Sequence, residues 1–221
     1  MDKSRFLLKI YTILLKAFGP QHWWPGDTPL EVIVGAILTQ NTNWTNVEKA
    51  IANLKAAGLL DAKRLKGVRI EKLAELIRPA GYFNVKARRL KSFFEWLAAH
   101  HEGDLDTMFA RPLSALREEL LEVRGVGPET ADSILLYAGQ KPSFVVDAYT
   151  YRIFSRHQLI PTDTTYDEIK EFFESSLPED VQVYNEYHAL IVALGKSYCK
   201  PRPLCAECPL GKEIGPGVLP D

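Results

Sequence analysis

Two groups of residues in this 221-residue chain could do chemistry, and both are named by type and spacing. The first is Leu121-Glu-Val-Arg-Gly125-Val-Gly127-Pro-Glu129-Thr130-Ala131, two apolar segments joined by a Gly-x-Gly turn. It is followed, after Phe144, Val145 and Val146, by a single carboxylate at Asp147. Glycines at such a turn permit positive φ and a close backbone approach to another body. Successive N–H groups at the start of the next helix suit a phosphate oxygen. The same spacing also fits a plain helix–helix turn with a glycine cap. Asp147 reads equally as a helix cap or as a carboxylate that stabilises a developing cation and activates water. The second group is Cys199, Cys205 and Cys208, the only cysteines, all within ten residues. A disulfide framework would scatter them; this clustering points to a loop that binds metal or is held by packing.

The elements that must position these groups are helical. The periodicity predicts helices over 3–18, 29–41, 44–57, 69–78, 84–100, 113–122, 128–138, 147–157, 165–175 and 181–196, with Asn43 and Pro128 as start signals. Alternating apolar and polar runs are scarce, so the expected class is all-α. The N-terminal helix is amphipathic and interrupted by Arg5, Lys9 and Lys16, which fits neither a signal peptide nor a membrane span. A cytoplasmic, nucleoid-associated monomer is expected. Formal net charge is −1, from 27 basic and 28 acidic residues, so nucleic acid would have to be held by a local basic face.

These motifs together resemble the helix–hairpin–helix DNA glycosylases of the endonuclease III superfamily. Leu38-Thr-Gln40-Asn-Thr42 is similar to that family's wedge segment. Gly81-Tyr82-Phe-Asn84-Val-Lys86-Ala is similar to its second DNA-probing loop, and His188 to Lys196 to its last helix before the cysteines. The resemblance spans roughly residues 28 to 210. It implies two helical lobes with a DNA-binding cleft between them: a six-helix barrel over 28–140, and a lobe built from 1–27 and 141–221. Its substrate is double-stranded DNA containing a damaged base, which is flipped out at a cost of a few kcal/mol. Gln40, Tyr82, Asn84, Lys86, Gly125, Gly127, Glu129 and Thr130 are the implied DNA contacts, and Asp147 the implied catalytic group. Arg88, Arg89 and Lys91, with Lys196, Lys200 and Arg202, add two basic patches as phosphate contacts.

Bifunctional members of this superfamily carry a lysine nucleophile where this chain has Glu129. A carboxylate forms no imine, and Lys141 is a poor substitute. The resemblance therefore implies a glycosylase without strand cleavage. Trp23, Trp24, Pro25 and Trp44 look like an aromatic base pocket, with Trp24 and Trp44 as the sandwich, and favour an electron-poor alkylated purine such as 3-methyladenine through cation–π attraction. A mismatch uracil or thymine glycosylase and a non-catalytic structure-specific DNA-binding module are the alternatives. The cysteines resemble the family's iron–sulfur loop with a shortened first gap and Ile214 at the fourth position. A 4Fe–4S cluster on three thiolates, a zinc site of the three thiolates with His188, and an empty packed remnant all remain open.

Overall fold

In the computed structural model, which describes residues 3–23, 26–215 and 217, every regular element among the described residues is helical. The chain divides into two compact units, one from residues 24–141 and the other from residues 1–23 with 142–221.

The unit over 24–141 is organised around α2 (Pro29–Leu38). Thr28 caps it by accepting from the Glu31 N–H, and Pro29 occupies the first turn, where its missing donor costs nothing. Seven of its ten residues are buried, as its nearly unbroken apolar sequence dictates. Gly35 allows the indole of Trp44 to lie against its backbone; a Cβ there would sit 3.0 Å from the ring. Helices α3 (Trp44–Ala56), α6 (Phe83–His100) and α9 (Pro128–Ser133) pack against it; α4 (Ala62–Gly67) and α5 (Ile70–Leu76) pack on α6, α8 (Leu113–Glu122) on α9, and the short α7 (Leu105–Phe109) precedes α8. Helix α9 continues into a π-helical turn over Ile134–Ala138, every residue of which is buried. The helix expected over 29–41 stops at Leu38. Asn41 turns left-handed, with φ 55°, and breaks the repeat.

The other unit combines α1 (Lys3–Phe18) with α10 (Ala148–Arg156), α11 (Tyr166–Glu174), α12 (Val181–Ser197) and α13 (Pro209–Ile214). Its core is aromatic. Phe144 and Phe173 stack at 4.1 Å, and Tyr184, Tyr187 and Phe154 meet them edge to face. The buried Tyr187 hydroxyl donates to the Leu7 carbonyl, fastening α1 to α12. Residues 142–147 belong to no regular element. Side chains supply the missing acceptors: the Phe144 N–H donates to Glu174 at 2.8 Å and the Val146 N–H to the Tyr166 hydroxyl at 3.3 Å.

Candidate active site

Two side chains from outside it, Arg89 and Gln40, build the hairpin into the 24–141 unit. Gly125 has φ 93°, and the Arg89 side chain lies so close that a Cβ would fall 2.4 Å from its Cγ. Both the backbone conformation and the space therefore require glycine. Gly127 differs: its φ is −99° and no other atom would lie within 4 Å of a Cβ. Arg117 on α8 makes a two-pronged ion pair with the fully buried Asp132 on α9, at 2.9 and 3.2 Å, holding the two helices of the hairpin together. Glu129 stands exposed in the first turn of α9, where a carboxylate is favoured by the helix dipole.

Gln40 is tied to this hairpin. Its Nε2 donates to the Gly125 carbonyl at 3.0 Å and to Thr130 Oγ1 at 2.9 Å, and its Oε1 accepts from Arg89. The Gln40 segment and the hairpin thus form one hydrogen-bonded body, with Thr130 buried inside it. Tyr82 stands at the other loop, left-handed at φ 45°, directly after Gly81, and 71% exposed. Asn84 is exposed beside it on α6.

Two of the expected phosphate contacts need correction. Lys86 is buried, and its ammonium donates to the Leu38 and Ala80 carbonyls at 2.8 and 2.7 Å. It cross-links the ends of helices instead of facing a phosphate. Burial, together with the neighbouring Arg89 charge, lowers its pKa to about 8. Lys91 likewise donates to the carbonyls of Lys66 and Val68. On that helix Arg88 is exposed and Arg89 is engaged with Gln40; Lys196, Lys200 and Arg202 in the other unit are exposed.

In the other unit, Asp147 is the N-cap of α10. Its Oδ1 accepts from the Thr150 N–H at 2.7 Å and from Thr150 Oγ1 at 2.9 Å. Its Oδ2 faces His188 Nε2 at 3.7 Å, beyond hydrogen-bond length but within ion-pair reach. The His188 ring, buried on α12, stacks on Trp23 at 5.3 Å with 14° between the planes. Burial alone would raise the Asp147 pKa. The adjacent His188 and the two Thr150 bonds outweigh it and hold the carboxyl below its ordinary value. The cap uses one Asp147 oxygen only; the other is turned to His188.

Of the four pocket residues expected, Trp24 and Pro25 lie outside the described residues. Trp23 is brought to Asp147 through His188. Trp44 opens α3 in the unit over 24–141, where it walls a cavity of ≈330 Å³ with Asp27, Glu31, Glu48 and Lys55. Lys55 bridges Asp27 and Glu31 at 2.8 and 2.7 Å.

The three cysteines line one apolar cavity of ≈20 Å³, scarcely more than a water occupies, with Arg156, His157 and Tyr198. Arg156 straps the loop by donating to Cys199 Sγ at 3.3 Å, the Lys200 carbonyl at 2.7 Å and the Pro201 carbonyl at 3.3 Å. Burial raises the Cys208 pKa, which favours the neutral thiol. His188, expected as a zinc ligand, is committed to Asp147 and Trp23; the histidine beside the cysteines is His157. Among the described residues no group of three or more His, Cys, Asp or Glu side chains is arranged to hold a metal. The donor set is one thiolate short of a four-cysteine cluster, so these residues do not fit that group as they stand.

A Gly-x-Gly hairpin within one all-helical unit, and a capping aspartate within another, define a helix–hairpin–helix architecture. Residues 34–179 match the HhH-GPD superfamily base excision DNA repair protein family, and the chain belongs to it. It is 51% identical over 216 residues to a Methanocaldococcus jannaschii protein provisionally described as a DNA repair glycosylase, covering 95% of this chain and 96% of that one. It is 31% identical to Endonuclease III of Thermotoga maritima over 196 residues, covering 88% and 85%. Among solved structures, H. pylori 3-methyladenine DNA glycosylase bound to 1,N6-ethenoadenine superposes with a TM-score of 0.75 at 32% identity, covering 89% of this chain and 98% of that one.

Proposed function

We propose that this DNA glycosylase is monofunctional, and that it hydrolyses the N-glycosidic bond of an alkylated purine such as 3-methyladenine. The observation that carries the reading is Glu129. At the hairpin position where a bifunctional enzyme presents an amine, this chain presents an exposed carboxylate. With no amine there to attack C1′, water must do so, and the product is an abasic site in an intact strand.

In this reading the Gly125–Gly127 hairpin seats a backbone phosphate, while Gln40, Tyr82 and Asn84 contact the distorted duplex. Asp147, kept ionised below the ordinary carboxylate range, stabilises the positive charge that grows on the sugar as the base departs. The base leaves with the electron pair of the C1′–N bond. For an alkylated purine that pair cancels the positive charge on the ring, so no separate acid is needed. Water then forms the C1′–O bond and its proton passes to Asp147. Trp44 supplies an aromatic face beside Glu48 in the 24–141 unit, and Trp23 one beside His188 in the other. The relationship to a protein named for 3-methyladenine supports the same choice.

The test is an incubation with methylated DNA and, separately, with abasic-site DNA under borohydride. Released 3-methyladenine, an uncleaved strand and no trapped adduct are expected. A trapped covalent adduct with strand scission would overturn the monofunctional assignment.

A further inference from the structure

Asp147 places its two oxygens in different jobs, and the second oxygen is not alone. Oδ1 is occupied by the Thr150 N–H and hydroxyl, whereas Oδ2 faces the Nε2 of His188 at 3.7 Å. That separation is too long for a direct hydrogen bond and too short for a water to lie in line between the two atoms. It does suit a water to one side. At about 2.8 Å from each atom, such a water would see them about 80° apart, an angle that lets it give one O–H to Oδ2 and accept the Nε2–H.

We infer that His188, with Asp147, is the second contact to the nucleophilic water of the glycosylase reaction, and that Trp23 fixes the His188 ring for this purpose. The inference rests on the reading of Asp147 as the reaction's carboxylate. A water that donates one hydrogen to Oδ2 and accepts the Nε2–H of His188 keeps its second lone pair for C1′. As the C1′–O bond forms, the proton on the Oδ2 side passes to Asp147, and the base keeps the electrons of the broken C1′–N bond. His188 takes no proton; it fixes the direction of attack. The geometry supports orientation more than packing. The ring is buried on α12, its plane is set by the Trp23 stack at 14°, and its Nε2 edge is turned to the one Asp147 oxygen that the helix cap does not use.

The experiment compares His188→Leu, His188→Asn and His188→Gln with the wild type and Asp147→Asn. Single-turnover release of 3-methyladenine and equilibrium binding of duplex with an abasic-site analogue are both measured. Gln carries its amide where Nε2 stands, whereas Asn carries it at the Nδ1 position. Loss of an oriented contact should cost on the order of tenfold to a hundredfold in rate. We expect that loss in His188→Leu and His188→Asn, with analogue binding within about twofold of wild type and most of the rate restored in His188→Gln. Equal rates in His188→Asn and His188→Gln, or an unchanged rate in His188→Leu, overturn the inference while the Asp147 reading stands. Full activity in Asp147→Asn overturns the reading itself, so the two failures are distinguishable. Failure of His188→Leu to fold leaves the Asn–Gln comparison to decide.

Discussion

Gln40 and Thr130, ninety residues apart, are joined by a 2.9 Å hydrogen bond that links the turn after α2 to the second helix of the hairpin. The same Gln40 amide serves the Gly125 carbonyl and accepts from Arg89, so its hydrogen-bonding capacity is largely spent inside the unit. Gln40→Ala should therefore lower stability, by about 1–3 kcal/mol for the polar groups left unpaired, and weaken duplex binding as the hairpin loosens. Urea unfolding of the free protein checks this. A Gln40 that merely fills a gap in DNA would leave the free protein's stability unchanged.

The two hairpin glycines should respond differently. Gly125→Ala forces a side chain into left-handed backbone, costing about 1–2 kcal/mol, and drives a Cβ against the Arg89 stem. Gly127→Ala meets open space at an ordinary φ and should cost less than about 1 kcal/mol. Equal midpoints for the two variants in denaturant would contradict the local geometry.

Lys86 and Arg88, two positions apart, divide structure from binding. Lys86→Met strands the Leu38 and Ala80 carbonyls, and should destabilise by about 1–3 kcal/mol without altering the salt dependence of DNA binding. Arg88→Ala should leave stability unchanged and lower the slope of log affinity against log salt by about one, as for a lost phosphate contact. Because the folded-state pKa of Lys86 is lowered to about 8, the unfolded chain binds the proton more tightly. The penalty for holding the charge inside is present below pH 8. It is relieved as pH rises from about 8 toward the unfolded value near 10.4. Wild type should gain stability relative to Lys86→Met across that window.

The cysteine loop should not need metal. Arg156 and the loop's own backbone bonds hold it. Purified protein is expected to carry substoichiometric iron and zinc, and a chelator should leave its melting temperature in place. Arg156→Met should lower it. Strong visible absorbance, together with a melting temperature that falls on chelation, would show that three thiolates suffice for a centre.

The long helices were legible because each carries several turns of apolar periodicity. The short ones, α4, α7 and α13, hold too few residues to show a period, although Asp61 and Asp104 cap the first two and were readable signals. The roles of Lys86 and Lys91 were not legible. A lysine that reaches a carbonyl looks, in sequence, like one that faces solvent. The hairpin, Asp147 and the Glu129 position could be read because local spacing defines them. His188 could not, because its partners Asp147 and Trp23 come from distant segments that only tertiary packing assembles.

Asp147 carries the central claim, and Asn is the substitution that isolates it. Asn caps a helix about as well as Asp, so Asp147→Asn should fold with nearly wild-type stability, whereas Asp147→Ala should lose about 1 kcal/mol more. The folded carboxyl's pKa is lowered. Its stabilising contribution is therefore complete above the ordinary carboxylate range and is lost only as pH falls through the depressed value. The most direct measurement is single-turnover release of 3-methyladenine from methylated duplex DNA by wild type and Asp147→Asn at neutral pH. Release by wild type, with a loss of at least about a hundredfold in a folded, DNA-binding Asp147→Asn, is the predicted result; equal release by the two proteins would contradict the account.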